Sequence, residues 1–261
     1  MPFDLAFFDL ASFDLAPFDL ESWQLAALSI ALLGAAYVRG YSGFGFSAIF
    51  IAFAALITNP LPLIPVVFSC EIIMTTLQAR GIRAHVDWRR VGALMLGAAL
   101  ALPFAISVIL SVGDQTARLA VSLIVLTMSL ILLAGWRAQR MIPLSGYTGV
   151  GVISGMCNAA GIGGLPVAAF LTAQPMAAPV FRATMIVYLT GLDLITMPLM
   201  WHGGLVTWDT VTATVCAFPI LALGVWLGGR QFLSASPATF RQFAVVLLLV
   251  LSTLGLIRAF L

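Results

Sequence analysis

The stretch RGYSGFGF, residues 39–46, interrupts an apolar region that runs from residue 23 to residue 58. A second apolar region, residues 144–173, is interrupted in the same way by NAAGIGG at residues 158–164. The pieces on either side of each break are about 12 to 17 residues long, whereas a membrane-spanning helix needs about 20. We therefore expect each region to form a helical hairpin or a pair of broken helices.

Six further segments are apolar and long enough to span a membrane as α-helices. Three follow the first broken region and three follow the second: residues 62–80, 89–111, 115–136, 179–201, 208–230 and 237–260. The composition agrees, because 62% of the 261 residues are hydrophobic, 8% are charged and the mean hydropathy is +1.10. A soluble domain carries roughly a quarter charged residues. The sequence predicts an all-α polytopic membrane protein.

The two halves of the chain resemble each other in order and in short matches. The matches pair residues 43–45 with 161–163, residues 86–91 with 206–211, and residues 116–118 with 239–241. Their separations of 118, 120 and 123 residues keep a nearly constant register. We predict two repeats, residues 22–140 and residues 141–261, each a glycine-broken hairpin followed by three transmembrane helices.

Residues 1–21 precede these repeats and carry four copies of Phe-Asp-Leu at five-residue intervals. Four such copies are too few to stack into a stable solenoid. The stretch also lacks the basic start and the uninterrupted apolar run of a signal peptide. We interpret it as an acidic extension that the core activity does not need.

The distribution of arginine predicts the orientation of the repeats. The 80–90 loop contains four arginines and the 136–144 loop contains two, so both are expected to be cytoplasmic. The 201–208 loop contains no arginine and is expected on the opposite side, although it corresponds to the 80–90 loop in the repeat. Equivalent loops on opposite sides indicate inverted topology. The expected location is the bacterial inner membrane, with multiple spans.

The glycine breaks are the candidate substrate site. A helix that begins inside the membrane presents free N–H groups and a positive dipole end, which bind anions. Short glycine-broken segments at matching places in two halves indicate the binding site of a transporter. The candidate binding residues are Gly43, Phe44, Gly45, Phe46, Ser47, Asn158, Gly161, Gly163, Gly164 and Arg182. The alternative for the glycines is close packing between helices.

Charged residues within the apolar segments are the second set of candidates. A charge at the bilayer centre costs about 2.5–3.5 kcal/mol on insertion scales, so it is expected to face a partner or water. Glu71 and Asp193 are candidates for proton coupling, with a structural hydrogen-bonding role as the alternative. Arg182 is either an anion ligand or a side chain that reaches the interface. It lies about 16 Å along the helix from Asp193, too far for a direct pair.

The remaining reactive residue types indicate no enzyme. The three cysteines, Cys70, Cys157 and Cys216, have no metal-ligand spacing, and His85 and His202 lie in loops. We therefore expect no catalytic residues, no metal and no cofactor. The expected partners are a small anionic substrate and membrane lipid, without nucleic acid, and a homo-oligomer is left open.

Residues 22–261 resemble the TauE/SafE family of sulfite and sulfonate exporters, which is also grouped with toluene-sulfonate uptake permeases. Each half of that family opens with a motif close to G-x-G-G-G followed by proline. GIGGLP at residues 161–166 is similar to it, whereas GFGFS at residues 43–47 departs at its fourth and fifth positions. The turn HVDWR, residues 85–89, also looks like the family's cytoplasmic turn.

The resemblance implies a secondary transporter, and more specifically an exporter, of small anions such as sulfite, sulfonates or sulfoacetate. Our hypothesis is alternating access between the two repeats, with proton coupling left open. The alternatives are an anion channel, which would use the breaks as a selectivity filter, and a non-transporting membrane scaffold.

Overall fold

The structure, a computed structural model, describes residues 20–79, 82–110 and 142–232, with single positions between 116 and 134 and between 246 and 253. All regular elements within these residues are helical, which confirms the all-α prediction. The α-helices are α1 (Ser22–Ser42), α2 (Phe46–Ile57), α3 (Ile64–Gln78), α4 (Trp88–Leu110), α5 (Leu144–Asn158), α6 (Gly164–Thr172), α7 (Ala178–His202) and α8 (Trp208–Phe232). Two short 3-10 helices, Leu61–Leu63 and Arg83–His85, precede α3 and α4.

Four helical stretches of the described residues are long and apolar enough to cross a membrane. They are Ser22–Ser42, Leu61–Gln78, Ala178–His202 and Trp208–Phe232. The last three agree closely with predicted spans, and α4 agrees with the span predicted at residues 89–111. The spans predicted at residues 115–136 and 237–260, and the Phe-Asp-Leu extension, lie largely or wholly outside the described residues.

The first broken helix is longer than expected. α1 has 21 residues and continues through Arg39 to Ser42, whereas we predicted a short piece ending at the start of RGYSGFGF. Gly40 is not a break but a packing position, because a Cβ there would lie 2.6 Å from the carbonyl oxygen of Val225 in α8. The other pieces are short, as predicted: α2 has 12 residues, α5 has 15 and α6 has 9.

The most extensive helix contacts are those of α1 with α8 and of α4 with α5. Both rest on glycines spaced four apart, which allow the backbones of membrane helices to approach closely. Gly224 and Gly228 of α8 meet the backbone of α1, and Gly151 and Gly155 of α5 meet that of α4. In the predicted repeat α1 corresponds to α5 and α4 to α8, so the two pairs are compatible with related halves.

α3 and α7 lie between these two pairs. α3 contacts α8, α7 contacts α4, and α3 and α7 contact each other. Large apolar side chains on α4 and α8, such as Leu100 and Trp226, are exposed, as expected for surfaces that face lipid. Trp88 and Trp208, at the first residues of α4 and α8, are 56% and 84% exposed. Tryptophan at helix ends is typical of the membrane–water interface.

Candidate functional site

Both glycine breaks predicted from the sequence are present. Between α1 and α2, Gly43 has φ 82° and Gly45 has φ 91°; between α5 and α6, Gly161 has φ 78°. This left-handed region is readily adopted by glycine and disfavoured by residues with a Cβ. The three glycines therefore allow the chain to end one helix and begin the next within a few residues.

Gly163 and Gly164 need to be glycine for a different reason. Gly163 has φ −59°, so its backbone conformation differs from that of Gly45, the glycine with which it is predicted to correspond. A Cβ on Gly163 would lie 2.6 Å from Asn158 Oδ1, and one on Gly164 would lie 3.0 Å from Leu189 Cδ2. These two positions are limited by space, because neighbouring side chains pack directly against them.

The N-termini of α2 and α6 begin at the breaks, in the interior of the protein. Phe46 and Ser47, at the start of α2, are buried, as are Gly164 and Leu165 at the start of α6. Neither N-terminus is capped by a side chain of the described residues. Since the first N–H groups of a helix have no acceptor within it, the start of α2 presents donors and positive dipole to the interior. At the start of α6 the Leu165 N–H donates to the Ile162 carbonyl oxygen and Pro166 has no N–H, so the Gly164 N–H is the donor left there among the described residues.

Arg182 of α7 packs on the first break. Its Nη2 donates a hydrogen bond to the Gly40 carbonyl oxygen at 2.9 Å, and a Cβ on Gly43 would lie 2.8 Å from its Cγ. The guanidinium lies over the Phe232 ring, 4.6 Å from the ring centroid. The structure thus places Arg182 at the first break and ties one of its donors to the backbone.

The second break is held by polar side chains of α5 and α7. Asn158 Nδ2 donates to Thr196 Oγ1 at 2.9 Å, and Ser154 Oγ donates to the Gly163 carbonyl oxygen at 2.6 Å. Tyr188 OH in turn donates to Ser154 Oγ at 2.7 Å. Every one of these side chains is buried, so α7 fixes the position of the second break through hydrogen bonds.

A charge cluster of Arg39, Glu71 and Asp193 lies between the two breaks. Its side chains come from α1, α3 and α7, and each residue is at most 1% exposed. Arg39 Nη1 lies 3.4 Å from Glu71 Oε1. Asp193 interacts electrostatically with both Glu71 and Arg39. Arg39 is one turn before the first break, and Thr196, which holds the second break, is one turn after Asp193 on α7.

Hydrogen bonds link the cluster to the surrounding helices but do not saturate it. Arg39 Nη2 donates to Thr75 Oγ1 at 3.3 Å, and Thr75 Oγ1 lies 2.7 Å from Thr190 Oγ1 of α7. Within the described residues, Arg39 Nε and Nη1, Glu71 Oε1 and both carboxyl oxygens of Asp193 have no hydrogen-bond partner. Buried polar atoms without a hydrogen-bond partner are rare in folded proteins, and each instance requires an explanation.

Two of the three members of this cluster, Glu71 and Asp193, are predicted from the sequence, because a carboxyl group in an apolar span requires a partner or water. Arg39 is not among the predicted residues, although a guanidinium in an apolar region has the same requirement, because it stands at the start of the RGYSGFGF break. The signal was present: an arginine within an apolar region, one turn before a glycine that ends the helix.

The family model described as "Sulfite exporter TauE/SafE" matches residues 28–254, nearly the whole chain. The matched residues include both glycine breaks and every residue of the charge cluster. No curated protein and no solved structure matches the chain.

Proposed function

The chain belongs to the sulfite exporter TauE/SafE family, a family of membrane transporters, and we propose that it exports small sulfur-containing anions as a secondary transporter. The substrates we propose are sulfite, sulfonates or sulfoacetate, moved across the bacterial inner membrane. Transport proceeds by alternating access between the two halves of the chain. The anion is held between the glycine breaks, by the residues predicted there, and Glu71 and Asp193 couple its movement to protons.

The observation that carries this proposal is the placement of the charge cluster between the two breaks. An anion leaving water needs N–H donors and positive charge to replace its hydration. The start of α2 and the Gly164 N–H at the start of α6 supply donors and positive dipole, and Arg182 lies against the first break. Two buried carboxyl groups, those of Glu71 and Asp193, lie in the same interior and are suited to carry protons across.

The proposal is tested by uptake of radiolabelled sulfite and a panel of sulfonates into proteoliposomes, with and without a pH gradient. We expect saturable uptake that a pH gradient accelerates, and exchange of internal for external anion when both are present. Flux that never saturates and shows no exchange would support a channel and contradict the carrier. Absence of flux for every sulfur anion would overturn the substrate assignment.

Replacing Gly163 or Gly164 by leucine tests the role of the second break. A leucine there meets the side chain of Asn158 or of Leu189, and overpacking of a tight interior costs about 1–3 kcal/mol. Where this strain destabilises the substrate-bound state by that free energy, the rate of transport falls by about tenfold or more. Uptake into proteoliposomes measures the rate, and the amount of protein in the membrane measures insertion, which we expect to persist.

The matched control is Gly92→Leu in α4, because Gly92 is exposed and has no atom within 4 Å of an added Cβ. We expect this variant to insert and transport like the wild type. Normal transport by both the Gly163 and the Gly164 variant would show that the second break is not the binding site.

A further inference from the structure

Arg39 carries more hydrogen-bond donors than its neighbours use. A guanidinium has five N–H donors in a fixed fork. Among the described residues this side chain donates one hydrogen bond, to Thr75 Oγ1, and its Nε and Nη1 have no hydrogen-bond partner. Its contact with Glu71 is a single approach of 3.4 Å, whereas arginine and an oxyanion usually pair through two parallel bonds of about 2.7–2.9 Å. The pair is therefore loose, and Nε and Nη1 of Arg39 retain donors for a second oxyanion.

The contact between Arg39 and Glu71 pairs one positive with one negative charge when the carboxyl group is ionised. A substrate anion on the same guanidinium would place two negative charges against one positive charge, in an interior where an uncompensated charge costs several kcal/mol. The simplest compensation is that one carboxyl group takes up a proton together with each negative charge of the anion.

Few other titratable groups face Glu71 among the described residues. On α3 itself its neighbour is Cys70, and α2, which packs on α3, has no titratable residue. α8 also packs on α3, but its titratable residues Asp209, Cys216 and Arg230 are all exposed. α7 packs on α3 as well and carries Arg182, Tyr188, Asp193 and His202, of which Arg182 lies at the first break, Tyr188 donates to Ser154 and His202 is exposed. The charged and titratable groups that interact with Glu71 are therefore the guanidinium of Arg39 and the carboxyl group of Asp193.

We propose that Arg39 binds the charged head of the substrate, and that Glu71 is the internal anion that occupies Arg39 when no substrate is bound. The inference rests on the proposed function and assigns the anion-binding residue within it. When substrate arrives, the Glu71 carboxylate takes one proton from the water of the compartment that the site faces. Two substrate oxygens then replace the carboxylate on the N–H groups of Arg39. On release, the carboxyl group returns its proton to water and the Arg39–Glu71 pair forms again.

Glu71, and not Asp193, is assigned this exchange because of the contacts each one makes. The Glu71 carboxylate touches the Arg39 guanidinium, so its protonation weakens the hold on Arg39 directly. Among the described residues Asp193 forms no ion pair with Arg39, and its carboxyl group adjoins that of Glu71, so its protonation releases no guanidinium directly.

The test is binding of methanesulfonate to the full-length protein in detergent, measured by calorimetry between about pH 6 and pH 8. Methanesulfonate keeps one negative charge throughout this range, so any pH dependence belongs to the protein. Where one proton is taken up with the anion, wild-type affinity falls about tenfold for each unit of rising pH. We expect Glu71→Gln to bind with an affinity that hardly changes with pH, so that its advantage over the wild type grows about tenfold for each unit of rising pH.

The matched control is Asp209→Asn at the exposed start of α8, which we expect to bind like the wild type at every pH. If Glu71→Gln keeps the wild-type pH slope, or if Asp193→Asn alone abolishes it, Glu71 is not the exchanging carboxyl group and the proposal is overturned.

The double variant Arg39→Gln/Glu71→Gln tests Arg39 without leaving a carboxylate that has lost its partner. We expect it to stay monodisperse and to melt within a few degrees of the wild type, yet to bind methanesulfonate at least about a hundredfold more weakly. Binding by this variant at wild-type affinity would show that Arg39 is not the ligand. A wild-type protein that neither binds nor moves any sulfur anion would instead refute the proposed function itself.

Discussion

Replacing Arg39 by methionine is expected to lower the free energy of unfolding by about 3–5 kcal/mol, the usual cost of removing one partner from a buried ion pair. Arg39 is fully buried and is the positive charge in contact with Glu71. Methionine retains the aliphatic part of the side chain but lacks the three outermost heavy atoms of the guanidinium, so part of the effect comes from lost packing, which the double variant below shares. The loss arises because the carboxyl groups of Glu71 and Asp193 then share a low-dielectric interior without a guanidinium beside them. Unfolding by heat and by a denaturing detergent measures it.

The double variant Arg39→Met/Glu71→Gln separates charge from packing. We expect it to recover most of the lost stability, since it removes both charges of the pair. The control Arg230→Met changes an exposed arginine that stacks on Trp226, and we expect a change of less than about 1 kcal/mol. Equal stability of Arg39→Met and Arg230→Met would show that the buried pair contributes nothing to folding.

The architecture could be predicted because its determinants are local in the sequence. A run of about 20 apolar residues must form a helix in lipid, since unpaired backbone groups are costly there. α3, α4, α7 and α8 therefore begin and end close to the predicted bounds. The breaks at Gly43, Gly45 and Gly161 were equally visible, because a left-handed backbone in the middle of an apolar region requires glycine.

What could not be predicted depends on tertiary contacts. Arg39 and Glu71 are 32 residues apart in the chain, and nothing in their spacing shows that α1 and α3 bring them together. The same contact explains the error at the end of α1, because the pair keeps Arg39 helical and inside the protein. Gly163 is a similar case, since its need for glycine comes from the side chain of Asn158 and not from its own φ.

The helix contacts show why the charge cluster lies between the two glycine-packed helix pairs. α1 is packed against α8 and α5 against α4, so each broken helix is supported by the last described helix of the other half. α3 and α7, which carry Glu71 and Asp193, fill the space between. A movement that separates one glycine-packed pair from the other therefore has to pass through the contact of α3 with α7, where the charge cluster lies.

The glycine packing of α4 on α5 leads to the second large effect, in the variant Gly151→Ala. A single added Cβ would overlap the carbonyl oxygen of Leu94 in α4. Because the overlapping atom is backbone, neither a rotamer change nor a small side-chain shift relieves it, and the two helices must separate. We expect a cost at or above the upper end of the roughly 1–3 kcal/mol seen for overpacked interiors. The thermal midpoint and the yield of monodisperse protein measure it, and anion transport should fall in proportion to the folded protein.

The control lies two residues away, on the same helix and with the same substitution. Gly149 has no atom within 4 Å of an added Cβ, so Gly149→Ala changes helix propensity as Gly151→Ala does but adds no overlap. We expect Gly149→Ala to melt at or slightly above the wild-type temperature. Gly228→Ala in α8, where the added Cβ would overlap the carbonyl oxygen of Tyr37, should lose stability as Gly151→Ala does. If all three variants melt together, close backbone approach does not hold these helix pairs, and the glycines are needed only at the breaks.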